Sequence, residues 1–265
     1  MRRVALIPAR LGATRFPRKL LAALGGRTVI RRTWEAVRDT RLFDDVRVVT
    51  DSDEIRDEVA RAGGVAVMSR RAHESGTDRI AEVVQDMEAD LVVNVQGDEP
   101  FTRREPLERL LAAFEGEEGR EVGVASLVQA LHDPAQVRDP NFVKVALDAR
   151  GHALFFSRSP IPYLRDPTVT PRYWEHVGVY AFRREALLAF ARLPAGPLER
   201  AEKVECLRFL EHGIRMRMVE TAYMGVEIDT PADLARAERL LAERGAPGET
   251  ERPASAAGTD GVPRT

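Results

Sequence analysis

One cysteine in 265 residues, Cys206, rules out an internal disulfide framework and fits a reducing compartment. Long hydrophobic runs are missing too: none approaches the roughly 20 residues of a membrane span. The N-terminal stretch MRRVALIPAR has two arginines but an apolar run of only four residues, too short for a signal peptide. Neither sign of charge dominates. Forty Lys+Arg stand against 42 Asp+Glu, a net charge of −2, and that balance excludes the basic surface that nucleic-acid backbones require. Two nucleotide signatures are absent as well, G-x-x-x-x-G-K-[ST] and G-x-G-x-x-G, so neither a Walker loop nor a dinucleotide fold is expected. The expectation is a cytoplasmic protein with no nucleic-acid and no membrane partner.

What is present is an alternation of short β-branched runs with longer helical patterns. VALI, DVRVVT, GVAVM, DLVVNV and EVGVASLVQ read as strands; TVIRRTWEAVRDT, SDEIRDEVARAG, TDRIAEVVQDMEA and EPLERLLAAFEG read as helices. Nearly continuous apolar strands in such an order predict a parallel sheet covered on both faces, with ligands at the carboxyl edge of the strands. Ser52 or Asp53 is expected to cap the second helix, Gly63-Gly64 to end it, and Thr77 or Asp78 to cap the third. Near residue 143 the pattern changes. FVKVALDARGHALFFSRSPIPYLRD reads as a hairpin around Asp-Ala-Arg-Gly, and YWEHVGVYAFR as a further strand. EALLAFARL, PLERAEKVECLRFLEHG and PADLARAERLLAER are expected helices, with IRMRMVET a strand between the last two. Residues 1–244 are expected to form one domain, with 143–182 as a hairpin-containing subregion. From Gly245 onward the Gly-, Pro- and Ala-rich sequence lacks apolar periodicity and reads as a disordered tail.

Four stretches carry chemistry. In VALIPARLGATRFPRKLL, a core strand gives way to a glycine-containing loop with Arg10, Arg15, Arg18 and Lys19, cations that repel one another unless an anion sits among them. A glycine turn followed by a helix and flanked by cations would cradle phosphate; the alternative is a solvated basic turn. In DLVVNVQGDEP, Pro100 ends a buried strand, Gly97 lets the backbone turn, and Asp98 reaches the sheet edge. Asp229 in VEIDTP stands at a second strand-to-helix junction, where it could equally be a helix cap before Pro231. Two carboxylates beside a basic loop make a coherent set for Mg²⁺, which takes hard oxygen ligands and bridges to phosphates. RRAHESGTDRI offers a compact polar turn with Arg79 on the following helix, or simply a capped helix start. FFSRSPIPYLRD and YWEHVGVYAF place Arg158, His176 and Tyr180 in or beside strands, and arginine there could grip a carboxylate.

Taken in order from about residue 3 to residue 242, these stretches resemble the 3-deoxy-manno-octulosonate (Kdo) cytidylyltransferases, the CMP-Kdo synthetases. IPAR, TRFP, AHESGTDRIAEV, VVNVQGDEP, SRSPIPY, HVGVYAF, PLERAEKVE and VEIDTPADL carry the likeness. The resemblance implies a Rossmann-like α/β mixed sheet of the nucleotide-sugar transferase type, with a smaller hairpin-containing region. It also implies CMP transfer from CTP to the anomeric hydroxyl of an acidic sugar for lipopolysaccharide, with Mg²⁺ and release of pyrophosphate. By position, Arg10, Lys19 and Asp98 would be catalytic. Arg10, Arg15, Lys19, His73, Ser75, Gly76 and Arg79 would bind the nucleotide, and Asp98 and Asp229 the metal. Gln96, Arg158, His176, Tyr180, Glu205 and Cys206 would line the acceptor pocket. A homodimer through the segment after residue 140 is also implied.

Two departures from the family pattern stand out. Arg18-Lys19-Leu20 replaces the usual Gly-Lys-Pro, and Val204-Glu205-Cys206 replaces Leu-Glu-Gln. The second touches the acceptor side and leaves a small phosphonate, such as phosphonoformate, as an alternative acceptor. An inactive nucleotide-binding protein on the same fold would be expected to have lost Asp98, Asp229 or Lys19, and all three are present.

Overall fold

In the computed structural model, which describes residues 1–12, 15–73, 75–223 and 225–245, the apolar runs expected as strands pair into one sheet, except the run before Asp229. The chain runs β1 (Arg3–Ala9), a small hairpin of β2 (Ala23–Leu24) and β3 (Arg27–Thr28), α1 (Val29–Asp39), β4 (Asp45–Thr50), α2 (Asp53–Arg61), β5 (Val65–Met68), α3 (Gly76–Val84), β6 (Leu91–Asn94) and α4 (Arg104–Ala112). It continues through β7 (Val124–Leu131), α5 (Pro134–Arg138), β8 (Lys144–Leu147), β9 (Ala153–Ser157), β10 (Tyr173–Arg183), α6 (Arg184–Phe190), α7 (Pro197–Glu202), α8 (Leu207–Glu211), β11 (Arg217–Glu220) and α9 (Pro231–Gly245). The order across the sheet is β11-β7-β10-β6-β1-β4-β5, with the β8–β9 hairpin joined to β10 through Glu175 and Lys144.

Side chains alternate across each strand, so neighbouring residues belong to opposite layers. Ala5, Ile7, Val48 and Val93 pack under α1, α2, α4 and α9, whereas Val4, Leu6, Val49 and Val92 pack under α3, α6 and α8. Burial on both faces explains why these strands read as continuous apolar runs rather than alternating ones. On α1, Val29, Ile30, Thr33, Trp34 and Val37 are buried, a single stripe at helical spacing.

The sheet is mixed, as the resemblance implies, and not the parallel sheet that the strand pattern alone predicts. β10 runs antiparallel between β6 and β7, so β7 is separated from the parallel set β6-β1-β4-β5. A β10 with Val177, Val179 and Ala181 on one face and Tyr180 and Phe182 on the other is buried on both sides, which suits a central strand of either direction. The expected helix over PLERAEKVECLRFLEHG is two short helices. Lys203 takes a left-handed conformation at φ 54°, which ends α7 and turns the chain before α8. The caps resolve differently at one of two places: Ser52 caps α2 as expected, but Ser75, not Thr77 or Asp78, caps α3. The tail lies, beyond Gly245, outside the described residues.

Candidate active site

The carboxyl ends of β1, β4, β5 and β6 lie side by side, so the loops that follow them meet. The loop after β1 does not open a helix; after Arg18 the chain makes a single 3-10 turn, Lys19–Leu21. Arg18 sits at φ 59°, and its guanidinium pairs with Glu54 on α2. It therefore turns away from the other cations of the loop. Arg10, Gly12, Arg15 and Lys19 remain to line a cavity of about 230 Å³, together with Pro8, Ala9, Leu20, His73, Ser75, Gly76, Arg79, Gln96, Gly97, Asp98 and Asp229.

At its centre stands Lys19. Its Nζ donates to Asp98 Oδ2 at 2.5 Å and to Asp229 Oδ1 at 2.7 Å, with the lysine side chain only 13% exposed. Burial works against that ammonium, but the two carboxylates outweigh it and raise the pKa of Lys19 above the ordinary lysine value. Arg15 Nη2 donates to Asp229 Oδ2 at 2.7 Å.

Asp229 does not end a strand, as its apolar lead-in suggested. A main-chain bond from Ile228 N to Asp98 O, at 3.0 Å, brings the two acids together. Nor does Asp229 cap α9. Thr230 does, with Asp233 N on Thr230 Oγ1 at 3.2 Å and Thr230 N on Asp233 Oδ2 at 2.8 Å, a reciprocal cap that leaves Asp229 to the cavity. Gly97 has no left-handed φ; what it provides is room, because a Cβ there would lie 3.0 Å from the Pro8 carbonyl oxygen.

On the opposite wall is the N-terminus of α3. Ser75 Oγ accepts from Asp78 N at 3.0 Å and donates to Asp78 Oδ2 at 2.9 Å, so its hydroxyl is part of the cap. A Cβ on Gly76 would stand 3.0 Å from Pro8 Cγ and 3.1 Å from Gln96 Oε1, close enough to narrow the cavity. Arg79 is nearly fully buried. It donates to Ser69 Oγ at 2.7 Å and to Asp51 Oδ2 at 2.8 Å, tying the loops after β5 and β4 to α3. His73 Nε2 lies 2.6 Å from Glu82 Oε2, an ion pair only when the ring is protonated.

Of the acceptor residues, only Gln96 lines the cavity. The others do not line it, and of these Glu205 is linked to Gln96 by a hydrogen-bond relay. Gln96 Nε2 donates to Asn94 Oδ1 and Asn94 Nδ2 to Thr77 Oγ1, both at 3.2 Å, and the Thr77 hydroxyl donates to Glu205. Burial raises the pKa of Glu205, and hydrogen bonds from Ser75 and Thr77 offset part of the rise. Next to it Cys206 is fully buried, its thiol donating to Tyr180 Oη at 3.2 Å. His176 Nε2 lies 3.6 Å from the same sulfur and 3.0 Å from Ser126 Oγ, and burial depresses its pKa to about 4. Arg158 does not present a free guanidinium. Its Nε donates to Glu202 O at 2.7 Å and its Nη1 to Pro140 O at 2.8 Å, so it fastens the α7–α8 turn to the hairpin.

A basic loop facing paired carboxylates at the carboxyl edge of the parallel strands β6-β1-β4-β5 narrows the field to nucleotide chemistry. The family model for cytidylyltransferases matches residues 4–241. The chain belongs to the cytidylyltransferase family. The 3-deoxy-manno-octulosonate cytidylyltransferase of Flavobacterium johnsoniae is 52% identical over 241 residues, covering 91% of this chain and 99% of that one. The protein of the same name from Myxococcus xanthus is 44% identical over 245 residues, covering 92% and 98%. Among solved structures, CMP:2-keto-3-deoxy-manno-octonic acid synthetase complexed with CTP superposes with a TM-score of 0.87. It is 40% identical, with 92% of this chain and all of that one covered. Both the resemblance read from the motifs and the nucleotidyltransferase fold are thereby borne out.

Beside Asp98 and Asp229, this cytidylyltransferase has further acids that the motifs did not single out. Glu227 offers a carboxylate oxygen which, with one each from Asp98 and Asp229, falls within 4.8 Å of the others. Glu227 and Asp229 are two apart in VEID, and that spacing puts both side chains on one side of an extended segment, a signal available in the sequence. Desolvation, then Asp98 and Asp229, push Glu227 up to about 8. The buried Glu99 is raised well above the usual carboxylate range by burial and by Glu227 and Asp98, which favours its neutral form. Asp98 Oδ1 is buried without a hydrogen-bond partner among the described residues. An orphaned carboxylate oxygen beside two further acids is a donor set that fits a hard divalent cation.

Proposed function

We propose that this cytidylyltransferase works in the cytoplasm, transferring CMP from CTP to the anomeric hydroxyl of Kdo with Mg²⁺ and releasing pyrophosphate. The observation that carries the reading is the bridging of Asp98 and Asp229 by Lys19 within a cavity whose other rim is Arg10 and Arg15. A triphosphate brings about four negative charges, and preorganised cations in a water-poor cleft stabilise them best. Arg10, Arg15 and Lys19 hold the phosphates. His73, Ser75 and Gly76 border the side of the cavity left for the base, with Arg79 holding that wall in place. Asp98 and Asp229 would hold Mg²⁺, with Glu227 within reach, and the ion would supply Lewis-acid neutralisation of phosphate charge. Gln96 orients the acceptor from the Asn94–Thr77–Glu205 side, and alignment of its hydroxyl in line with the leaving pyrophosphate does most of the catalytic work.

Kdo is preferred over a small phosphonate because the relatives reported above are named for it. The buried position of Cys206 agrees with this, since a residue packed into the core does not by itself narrow the acceptor pocket. The functional unit is a homodimer formed through the segment after residue 140. Pyrophosphate release from CTP and Mg²⁺ against Kdo, 8-amino-Kdo, sialic acid and phosphonoformate tests the assignment. Turnover is expected with Kdo, and faster turnover with phosphonoformate would overturn the acceptor.

A further inference from the structure

Between them, Asp98 and Asp229 have four carboxylate oxygens. Lys19 takes one of each acid, at 2.5 and 2.7 Å, and Arg15 takes the second oxygen of Asp229 at 2.7 Å. The fourth, Asp98 Oδ1, is buried and without a partner among the described residues. An ammonium that touches both acids occupies the place a bridging cation would take. Mg²⁺ sits about 2.1 Å from its oxygens, and the ammonium could not stay between the same carboxylates beside it, for reasons of space and of charge.

We propose that Lys19 is a displaceable internal cation. It holds Asp98 and Asp229 together in the nucleotide-free protein and yields their oxygens to a divalent cation only when a triphosphate draws the ammonium away. The inference rests on the reading of Asp98 and Asp229 as metal ligands. Charge supports it. Asp98 and Asp229 balance Lys19 and Arg15, and Glu227 beside them adds at most one negative charge, so a divalent cation arriving alone leaves an excess of positive charge around the half-buried acids. When a triphosphate arrives with it, Lys19 and Arg15 gain a new anionic partner and both sets of charges are met. Reach supports it as well. Lys19 lies on a single 3-10 turn at the cavity wall, and its four-carbon stem lets the ammonium swing without moving the sheet. Metal and nucleotide then bind with positive coupling: each strengthens the other by the same factor.

The test is Mn²⁺ binding followed by water-proton relaxation, which reads the metal directly and needs no turnover. Nucleotide-free wild-type protein is expected to bind Mn²⁺ weakly. Lys19→Met and Lys19→Gln should each bind it at least tenfold more tightly, and adding Asp98→Asn to either should abolish the gain. Gln keeps a polar side chain where Met does not, so the pair separates loss of charge from loss of packing. Thermal unfolding of each variant shows that it is folded before the titration is read. Lys19 variants that bind Mn²⁺ no more tightly than wild type overturn the displacement. A separate arm isolates the underlying reading: wild type loaded with CTP should recruit Mn²⁺, and Asp98→Asn should lose it. If that arm holds and the Lys19 variants show no gain, the metal site stands and the displacement falls. If Asp98→Asn leaves Mn²⁺ binding intact, the metal assignment falls and the inference with it.

Discussion

His176 is a base kept neutral by its surroundings. Its ring lies 5.0 Å from Phe156 and 5.4 Å from Tyr180, centre to centre, and the arrangement is satisfied when Nε2–H donates to Ser126 Oγ. Burial lowers its pKa from 6.5 to about 4. In the unfolded chain the ring regains a pKa near 6.5. Between about pH 6.5 and pH 4 the unfolded state therefore binds a proton that the folded state refuses. Stability from this residue is complete above about 6.5 and is lost as the pH falls through that window, an effect on the order of 3 kcal/mol. Urea unfolding of wild type and His176→Phe across pH 4 to 7 checks it: the difference in slope should vanish above pH 7. Parallel slopes throughout would show that the ring does not titrate in this way. Beside it, Cys206 replaces the glutamine of the family pattern, and full burial makes it a packing residue. Cys206→Gln should destabilise the fold by about 1 to 3 kcal/mol through overpacking, measurable as a lowered urea midpoint. Improved Kdo turnover at unchanged stability would contradict that and put the side chain back into the acceptor pocket.

At the scale of elements, the site depends on how closely the loops after β1 and β6 approach. The backbone at Gly97 passes so near Pro8 that a Cβ would lie 3.0 Å from its carbonyl oxygen and 3.3 Å from side-chain carbons of Ile30 and Leu20. Gly97→Ala should force the loops apart by a few tenths of an ångström and shift Asp98, the next residue. The expected result is a stability loss of about 1 to 3 kcal/mol with a larger fall in kcat than in affinity for CTP, because alignment tolerates little displacement. Steady-state kinetics with CTP varied at saturating acceptor reads the split, and unchanged kcat would mean the loops absorb the methyl elsewhere. Most of these elements were legible from apolar runs and capping residues: β1, β4, β6 and β10 fall where the runs predict, and α2 starts at its Ser52 cap. The direction of β10 was not legible, since a strand buried on both faces reads the same whether its neighbours run with it or against it. The break between α7 and α8 was hidden because Lys203 in a left-handed conformation carries no glycine to mark it. Among site residues, position after an apolar run picked out Asp98 and Asp229, and the clustering of cations in the first loop picked out Lys19. It could not show that Arg18 turns to Glu54 or that Arg158 is held by main-chain carbonyls, because both depend on partners distant in the chain.

For the whole molecule, the unanswered surface is the loop between β9 and β10. Tyr163 is 86% exposed, Leu164 44% and Val169 55%, and Leu154 on the adjoining hairpin is 61% exposed. Apolar side chains concentrated in this way are characteristic of a covered face, whereas scattered ones need no explanation. The loop leads into β10 at the edge where the antiparallel β6 ends, and none of these four residues lines the cavity. The hairpin also connects to the acceptor residues through Lys144. Its buried ammonium donates to Asp139 O, Phe142 O and Arg158 O at 2.9, 2.6 and 2.5 Å and fixes the base of the loop. Sedimentation equilibrium should give a dimer for the wild type, and Tyr163→Asp with Leu164→Asp should shift it to monomer while leaving the fold intact by circular dichroism. A wild type that sediments as a monomer at micromolar concentration would remove the dimer from the proposed function. Monomeric double variants that keep full pyrophosphate release would show that each cavity works alone, so that pairing adds stability and no catalytic group.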